Sequence, residues 1–327
     1  MQLRRGTIIA GTSFLLAALL PLPAVHAQLQ WPEKAVTLVV PWAPGGSTDI
    51  LARTLSEQLT KTYGQPFIVE NRPGASGNIG SNIVAKAKPD GYTLLVDTMS
   101  THAMNGALFT NMPFKPVDDF TPIALVAYVT NTMVVNASVP ASTVAEFIAY
   151  AKANPGKLAY ASAGPGSTNH LCAVMFEKAA GIEMLHVPYK GGAPAVLDTV
   201  AGQTQVFFTA GTQTLQHVKS GKLKLLAVTE RERSTLLPST PTVAETLPGY
   251  ELAVWYGLFG PAGLPRELTA RINAEVNRIT QLPEVKQKMA AIGVEVAKLS
   301  SAQFQEILLR DTAKYTKLIA DLGIKLD

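Results

Sequence analysis

Cysteine is almost missing from this sequence. Cys172 stands alone in 327 residues, which excludes an intramolecular disulfide, and its place in the apolar helical run HLCAVMFEKAAG makes it a small core residue. Histidine is sparse and scattered. His26, His102, His170, His186 and His217 lie far apart, without the clustered nitrogen, sulfur or carboxylate ligands that a metal centre requires. No G-x-S-x-G surrounds Ser167, no G-x-G-x-x-G follows a strand, and neither a P-loop lysine nor H-E-x-x-H occurs, so the familiar marks of enzyme chemistry are absent. His102, Ser167 and Asp49 can be assembled into a triad on paper, but nothing in their spacing demands it. No enzyme activity, no metal and no cofactor is expected. Nor does a dense Lys/Arg stripe accompany the net charge of +4, so a nucleic-acid partner has no electrostatic footprint.

Long apolar runs are missing as well, with one short exception at the start. MQLRR is a basic opening, GTIIAGTSFLLAALLPL is apolar but too short and interrupted for a comfortable membrane span, and VHA before Gln28 supplies small residues at a cleavage position. Residues 1–27 therefore read as a secretory signal peptide cut after Ala27, which places the mature protein in the periplasm. Arg4 and Arg5 leave with it and no acid does, so the net charge falls to +2.

What remains alternates strand and helix patterns. VTLVVP, FIVENR and YTLLVDT read as strands, with helices in DILARTLSEQLTKTYG and GNIGSNIVAKAKPDG between them. That succession predicts an α/β fold with a mostly parallel, helix-covered sheet. A second unit with its own cycle starts in TPIALVAYVTNTMVVN, and HVKSGKLKLLAVT closes it. A Pro-rich connection then leads to LAVWYGLFGPAG and two C-terminal helices beginning near Pro265 and Ser301. The expected organisation is a discontinuous first lobe, residues 28–124 plus 229–327, and a second lobe, 125–228, with a cleft between them.

Small hydrogen-bonding residues recur where strands give way to helices. PGGSTD places Gly45 and Gly46, Ser47, Thr48 and Asp49 at the end of the first strand, where open α/β sheets receive ligands. Helix N-termini leave backbone N–H groups unpaired and carry partial positive charge, so such a loop suits an anion or simply a capped turn. Gly46 is expected to need positive φ. SAGPGSTNH repeats the arrangement with Gly164, Gly166, Ser167, Thr168 and Asn169. His170 follows, either packed against its helix or turned to a ligand. Trp42, Phe208, Trp255 and Tyr256 are aromatic candidates for stacking or for the core.

Taken together, WPEKAVTLVVPWAPGGSTDILAR, VENRPGASGNIGSNIVAKAKPDGYTLL, STHAMN, LAYASAGPGSTNHL, VPYKGGAPAVLD, HVKSGKLKLLAVT, PTVAETLPGYE and WYGLFGPAG resemble, in order, the substrate-binding proteins of tripartite tricarboxylate transporters, the Bug family. The resemblance covers essentially the whole chain after the signal. It implies a periplasmic binding protein of type II topology, monomeric, whose two lobes close over a small carboxylate and present it to inner-membrane permease subunits. Carried onto this chain, the implied ligand-binding residues are Trp42, Ala43, Gly45, Gly46, Ser47, Thr48 and Asp49, then Ser100, Thr101 and His102. Ser162, Gly164, Gly166, Ser167, Thr168, Asn169 and His170 follow in the second lobe. Where many members carry an acid after the strand written VFFTAGT, this chain has Thr209 and Ala210, which favours a plain organic acid over an amino acid. Thr209 joins the expected site. A sensor input for a membrane kinase and a cleft hydrolase are the alternative readings.

Overall fold

The computed structural model describes Gln2 and residues 30–326; the expected signal peptide and its cleavage point lie outside the described residues. The chain runs β1 (Val36–Val40), α1 (Ser47–Tyr63), β2 (Phe67–Asn71), α2 (Asn78–Ala85), β3 (Thr93–Thr98), a single π turn over Ser100–Met104, α3 (Asn105–Leu108) and β4 (Phe120–Val129). It continues through β5 (Asn131–Asn136), α4 (Val144–Ala153), β6 (Ala159–Ser162), α5 (Thr168–Ala180), β7 (Leu185–Pro188), α6 (Gly192–Val200), β8 (Val206–Ala210), α7 (Gly211–Lys219) and β9 (Leu223–Val228). It ends with β10 (Val254–Pro261), α8 (Arg266–Thr280), α9 (Pro283–Ala290), β11 (Val294–Val296) and α10 (Ser301–Leu322). Among the described residues no helix is long and apolar enough to cross a membrane.

The strands form two sheets, in the orders β11-β4-β10-β3-β1-β2 and β7-β6-β8-β5-β9. Parallel pairing holds for β2, β1 and β3 and again for β7, β6 and β8. The expectation of mostly parallel sheets fails elsewhere. β10 runs antiparallel between β3 and β4, and β5 runs antiparallel to both β8 and β9, because the chain re-enters each sheet from the other one. β4 also runs past residue 124, so the switch between sheets falls at Thr130. In TPIALVAYVTNTMVVN only Thr130, Asn131 and Thr132 separate two strand-like apolar stretches, with no Gly or Pro between them, which hides that break.

Each sheet has its own core. Under the first, Phe304 of α10 packs against Trp255 and Phe259 at centroid distances of 5.3 and 5.1 Å. Gly257 in β10 admits it, since a Cβ there would lie 2.4 Å from Phe304 Cζ. The Trp255 indole N–H is satisfied by Asp311 at 2.8 Å. The second core gathers Val134, Ala161, Val196, Phe207 and Leu223. The helices end where the sequence signals it: Gly64 after α1 and Gly181 after α5 adopt φ of 70° and 63°, closing the last turn with backbone hydrogen bonds.

Two segments cross between the sheets. Thr130 alone separates β4 from β5, and Thr229 follows β9. They are bonded side by side: Thr229 N–H donates to Asn131 O and Leu252 N–H to Thr229 O, both at 2.9 Å.

Candidate ligand-binding site

A cavity of about 40 Å³ lies between the two sheets, where helix starts from both sides converge. Gly46, Ser47 and Thr48 open α1, Ser167, Thr168 and Asn169 open α5, Gly192 begins α6, and Ala210 precedes α7, whose third residue Gln213 also faces the cavity. The first turns of these helices carry N–H groups that the helices themselves leave unpaired, and the aligned peptide dipoles put partial positive charge there. None of the lining residues is Lys, Arg, His, Asp or Glu. The electrostatic character of the wall is that of backbone and hydroxyl dipoles.

The two sides already touch. Ser47 Oγ lies 2.6 Å from Thr212 Oγ1 and accepts from Gln213 Nε2 at 2.9 Å. Gln213 Nε2 also donates to Thr209 Oγ1 at 3.3 Å, while its Oε1 is a buried acceptor without a protein partner. Thr98 and Ser100 line the cavity, and their hydroxyl oxygens are buried with no protein partner. Such groups are costly to bury unless something else satisfies them. Ser167 Oγ, by contrast, is engaged: it donates to Gly164 O at 2.7 Å and caps α5 at His170 N–H.

Trp42 is held in place from behind. Its indole N–H donates to Asp97 Oδ1 at 2.8 Å, and Ser81 Oγ donates to Asp97 Oδ2 at 3.0 Å. Burial nevertheless pushes the Asp97 carboxyl up to about 6. His102 stands 3.6 Å from the same carboxylate, but burial lowers it to about 4, so it is neutral at pH 7.

Of the residues expected from sequence, Trp42, Gly46, Ser47, Thr48, Ser100, Ser167, Thr168, Asn169 and Thr209 line the cavity. Gly164 lines a neighbouring one. The others sit elsewhere, for identifiable reasons. Ala43 packs toward Gly191, where an added Cβ would come within 2.9 Å of it. Asp49 turns back into its own loop, accepting from Gly45 N–H, Arg53 and Asn71, and these bonds outweigh burial to hold its carboxyl low. Thr101 is buried beside Gly77. His102 is a core residue, stacked on Phe259 at 3.9 Å with Nδ1 hydrogen bonded to Pro116 O. Ser162 pairs with His186 Nε2. Gly166 packs toward Leu108, Phe109 and Leu326, and its N–H is accepted by His170 Nδ1, whose ring stacks on His186 at 4.4 Å. The expected positive φ also moves by one residue: Gly45 has φ of 80°, while Gly46 has an ordinary φ of −77°.

Sequence reasoning missed Thr98, Asn131, Ala163, Gly192, Ala210 and Gln213 as lining residues, and left Tyr256 undecided. Tyr256 and Thr98 are partners in the β10–β3 register, a pairing no local pattern announces. Of the other aromatic candidates, Phe208 and Trp255 are fully buried core.

Residues 51–324 match the family described as tripartite tricarboxylate transporter family receptor. The chain belongs to that family. Among solved structures, this receptor-family chain is similar to the periplasmic binding protein BugD, at 34% identity over 90% of this chain and 100% of that one, with a TM-score of 0.86. R. palustris Rpa4515 with adipate gives 36% identity over 90% and 100%, with a TM-score of 0.87. MatC (Rpa3494) from Rhodopseudomonas palustris with bound malate gives 30% over 88% and 100%, with a TM-score of 0.84. The receptor therefore has the fold of the periplasmic binding proteins, two lobes with a cleft between them, and is a solute-binding protein of the Bug type.

Proposed function

We propose that the mature chain is a periplasmic protein that captures a small organic carboxylate and delivers it to the membrane permease of a tripartite tricarboxylate transporter, without chemical turnover. The observation that carries this reading is the convergence of four helix N-termini, with two unpaired buried hydroxyls, on a wall free of charged side chains. Each N-terminus stabilises an anion by roughly 0.3–1 kcal/mol when exposed and up to about 2 when partly buried, so together they replace an arginine. Malate and adipate in two related structures agree with an acid ligand. The capture step is lobe closure: a ligand that touches both lobes only when they meet favours the closed state by its differential affinity. The rigid bodies of that motion are residues 32–129 with those after 252, and residues 131–228, pivoting at Thr130 and Thr229.

A thermal-shift and calorimetric panel tests the reading. Malate, citrate, adipate and benzoate are compared with their neutral esters on protein beginning at Gln28. At a hundredfold excess over its Kd, a true ligand stabilises the fold by about 2.7 kcal/mol. Failure of every acid, or hydrolysis of the esters, overturns it.

A further inference from the structure

The polar cavity is too small for a whole diacid. One water takes roughly 10–15 Å³ on the same measure, so about 40 Å³ admits a carboxylate and little more. A second cavity of about 490 Å³ adjoins it, and Trp42 and Ala163 line both. Its wall is largely apolar, with Pro73, Phe109 and Leu326 from one lobe and Pro165, Pro188 and Tyr189 from the other. Its hydroxyl groups are already used. Ser76 Oγ donates to Pro165 O, and Tyr189 OH donates to Asp198 at 2.7 Å. One charged side chain lines this cavity, that of Lys190, which is exposed and without a hydrogen-bond or ion-pair partner among the described residues.

Resting on the carboxylate reading above, the geometry points to a specific ligand class: a dicarboxylate with an extended apolar body. One carboxylate sits among the helix starts, the methylene chain passes Trp42 and Ala163 into the apolar cavity, and the far carboxylate meets the Lys190 ammonium. Each methylene taken from water there raises affinity roughly fourfold. A short acid such as succinate engages the polar cavity but reaches neither the apolar wall nor the lysine.

Calorimetry with succinate, adipate, suberate and the monomethyl ester of suberate tests this on the full mature chain. Suberate is expected to bind at least about tenfold more tightly than succinate, and about tenfold more tightly than its half-ester, in the range of one charge-assisted contact. Lys190→Gln, a change at an exposed position, is expected to bring the suberate to half-ester ratio close to one. Succinate or malate binding as tightly as suberate overturns the inference while leaving the carboxylate reading intact. So does a half-ester equal to its diacid, or an unchanged ratio in Lys190→Gln. Binding of no carboxylate at all overturns both.

Discussion

At the scale of single residues the site separates hydroxyls that hold the fold from hydroxyls that wait for a partner. Ser167 caps α5, so its loss would weaken fold and ligand together and report on neither alone. Ser100 is the cleaner probe, because its Oγ is buried with no protein partner. Ser100→Ala is expected to leave the melting temperature of the ligand-free protein unchanged or raised, while carboxylate affinity falls by roughly 0.5–1.5 kcal/mol. Melting curves and titrations on the same preparation check both halves. The loops at helix starts were legible in the sequence, since Gly, Ser and Thr in that position carry their meaning locally. Thr98 and Tyr256 were not, because strand register brings them together from distant parts of the chain. His102 misled for the opposite reason: a polar residue in a promising loop was claimed by the aromatic core.

At the scale of elements, what the sequence concealed was mostly α7 and the break between β4 and β5. GTQTLQHVK carries too few apolar residues to announce a helix, yet it supplies Gln213 and the fourth N-terminus. The β4–β5 break matters because Asn131, just past Thr130, lines the cavity and also joins the crossing segments. Its N–H donates to Glu230 Oε1 at 2.7 Å and its Nδ2 to Thr229 Oγ1 at 2.9 Å. Burial raises the Glu230 carboxyl from its ordinary 4.5 to about 7; the residue lines a separate cavity of about 350 Å³ together with Arg231, Arg233, Glu232, Glu251 and Glu295. Below pH 4.5 the group is protonated whether the chain is folded or unfolded. Between 4.5 and 7 the unfolded chain releases its proton first, so the folded state loses stability as pH rises, and above 7 the loss is complete. Glu230→Gln keeps an acceptor for Asn131 N–H and cannot ionise. Its melting temperature is expected to match the parent near pH 4.5 and exceed it at pH 8; equal pH profiles would show that this carboxyl is not strained by ionisation.

At the scale of the whole molecule, the contact between Ser47 and Thr212 joins one lobe to the other. Because their oxygens are 2.6 Å apart, the pair Ser47→Cys and Thr212→Cys places two thiols within reach of a bond. Cys172 will not compete, being buried with its thiol pushed up to about 12. Oxidised with a carboxylate inside, this variant is expected to release it far more slowly than the same polypeptide after reduction. Equal release rates would mean that the lobes need not part for the ligand to leave.

The uncharged wall of the polar cavity has a consequence for the medium in which the receptor works. Mobile ions screen opposite charges held apart in water over about 10 Å at 0.1 M salt, and a receptor gripping its anion with an exposed arginine weakens as its surroundings grow saltier. On the carboxylate reading proposed above, the anion in the polar cavity is held by fixed backbone and hydroxyl dipoles, in a space of about 40 Å³ that leaves little room for a counter-ion. Salt is therefore expected to weaken the exposed contact at Lys190 while scarcely loosening a carboxylate held in the polar cavity.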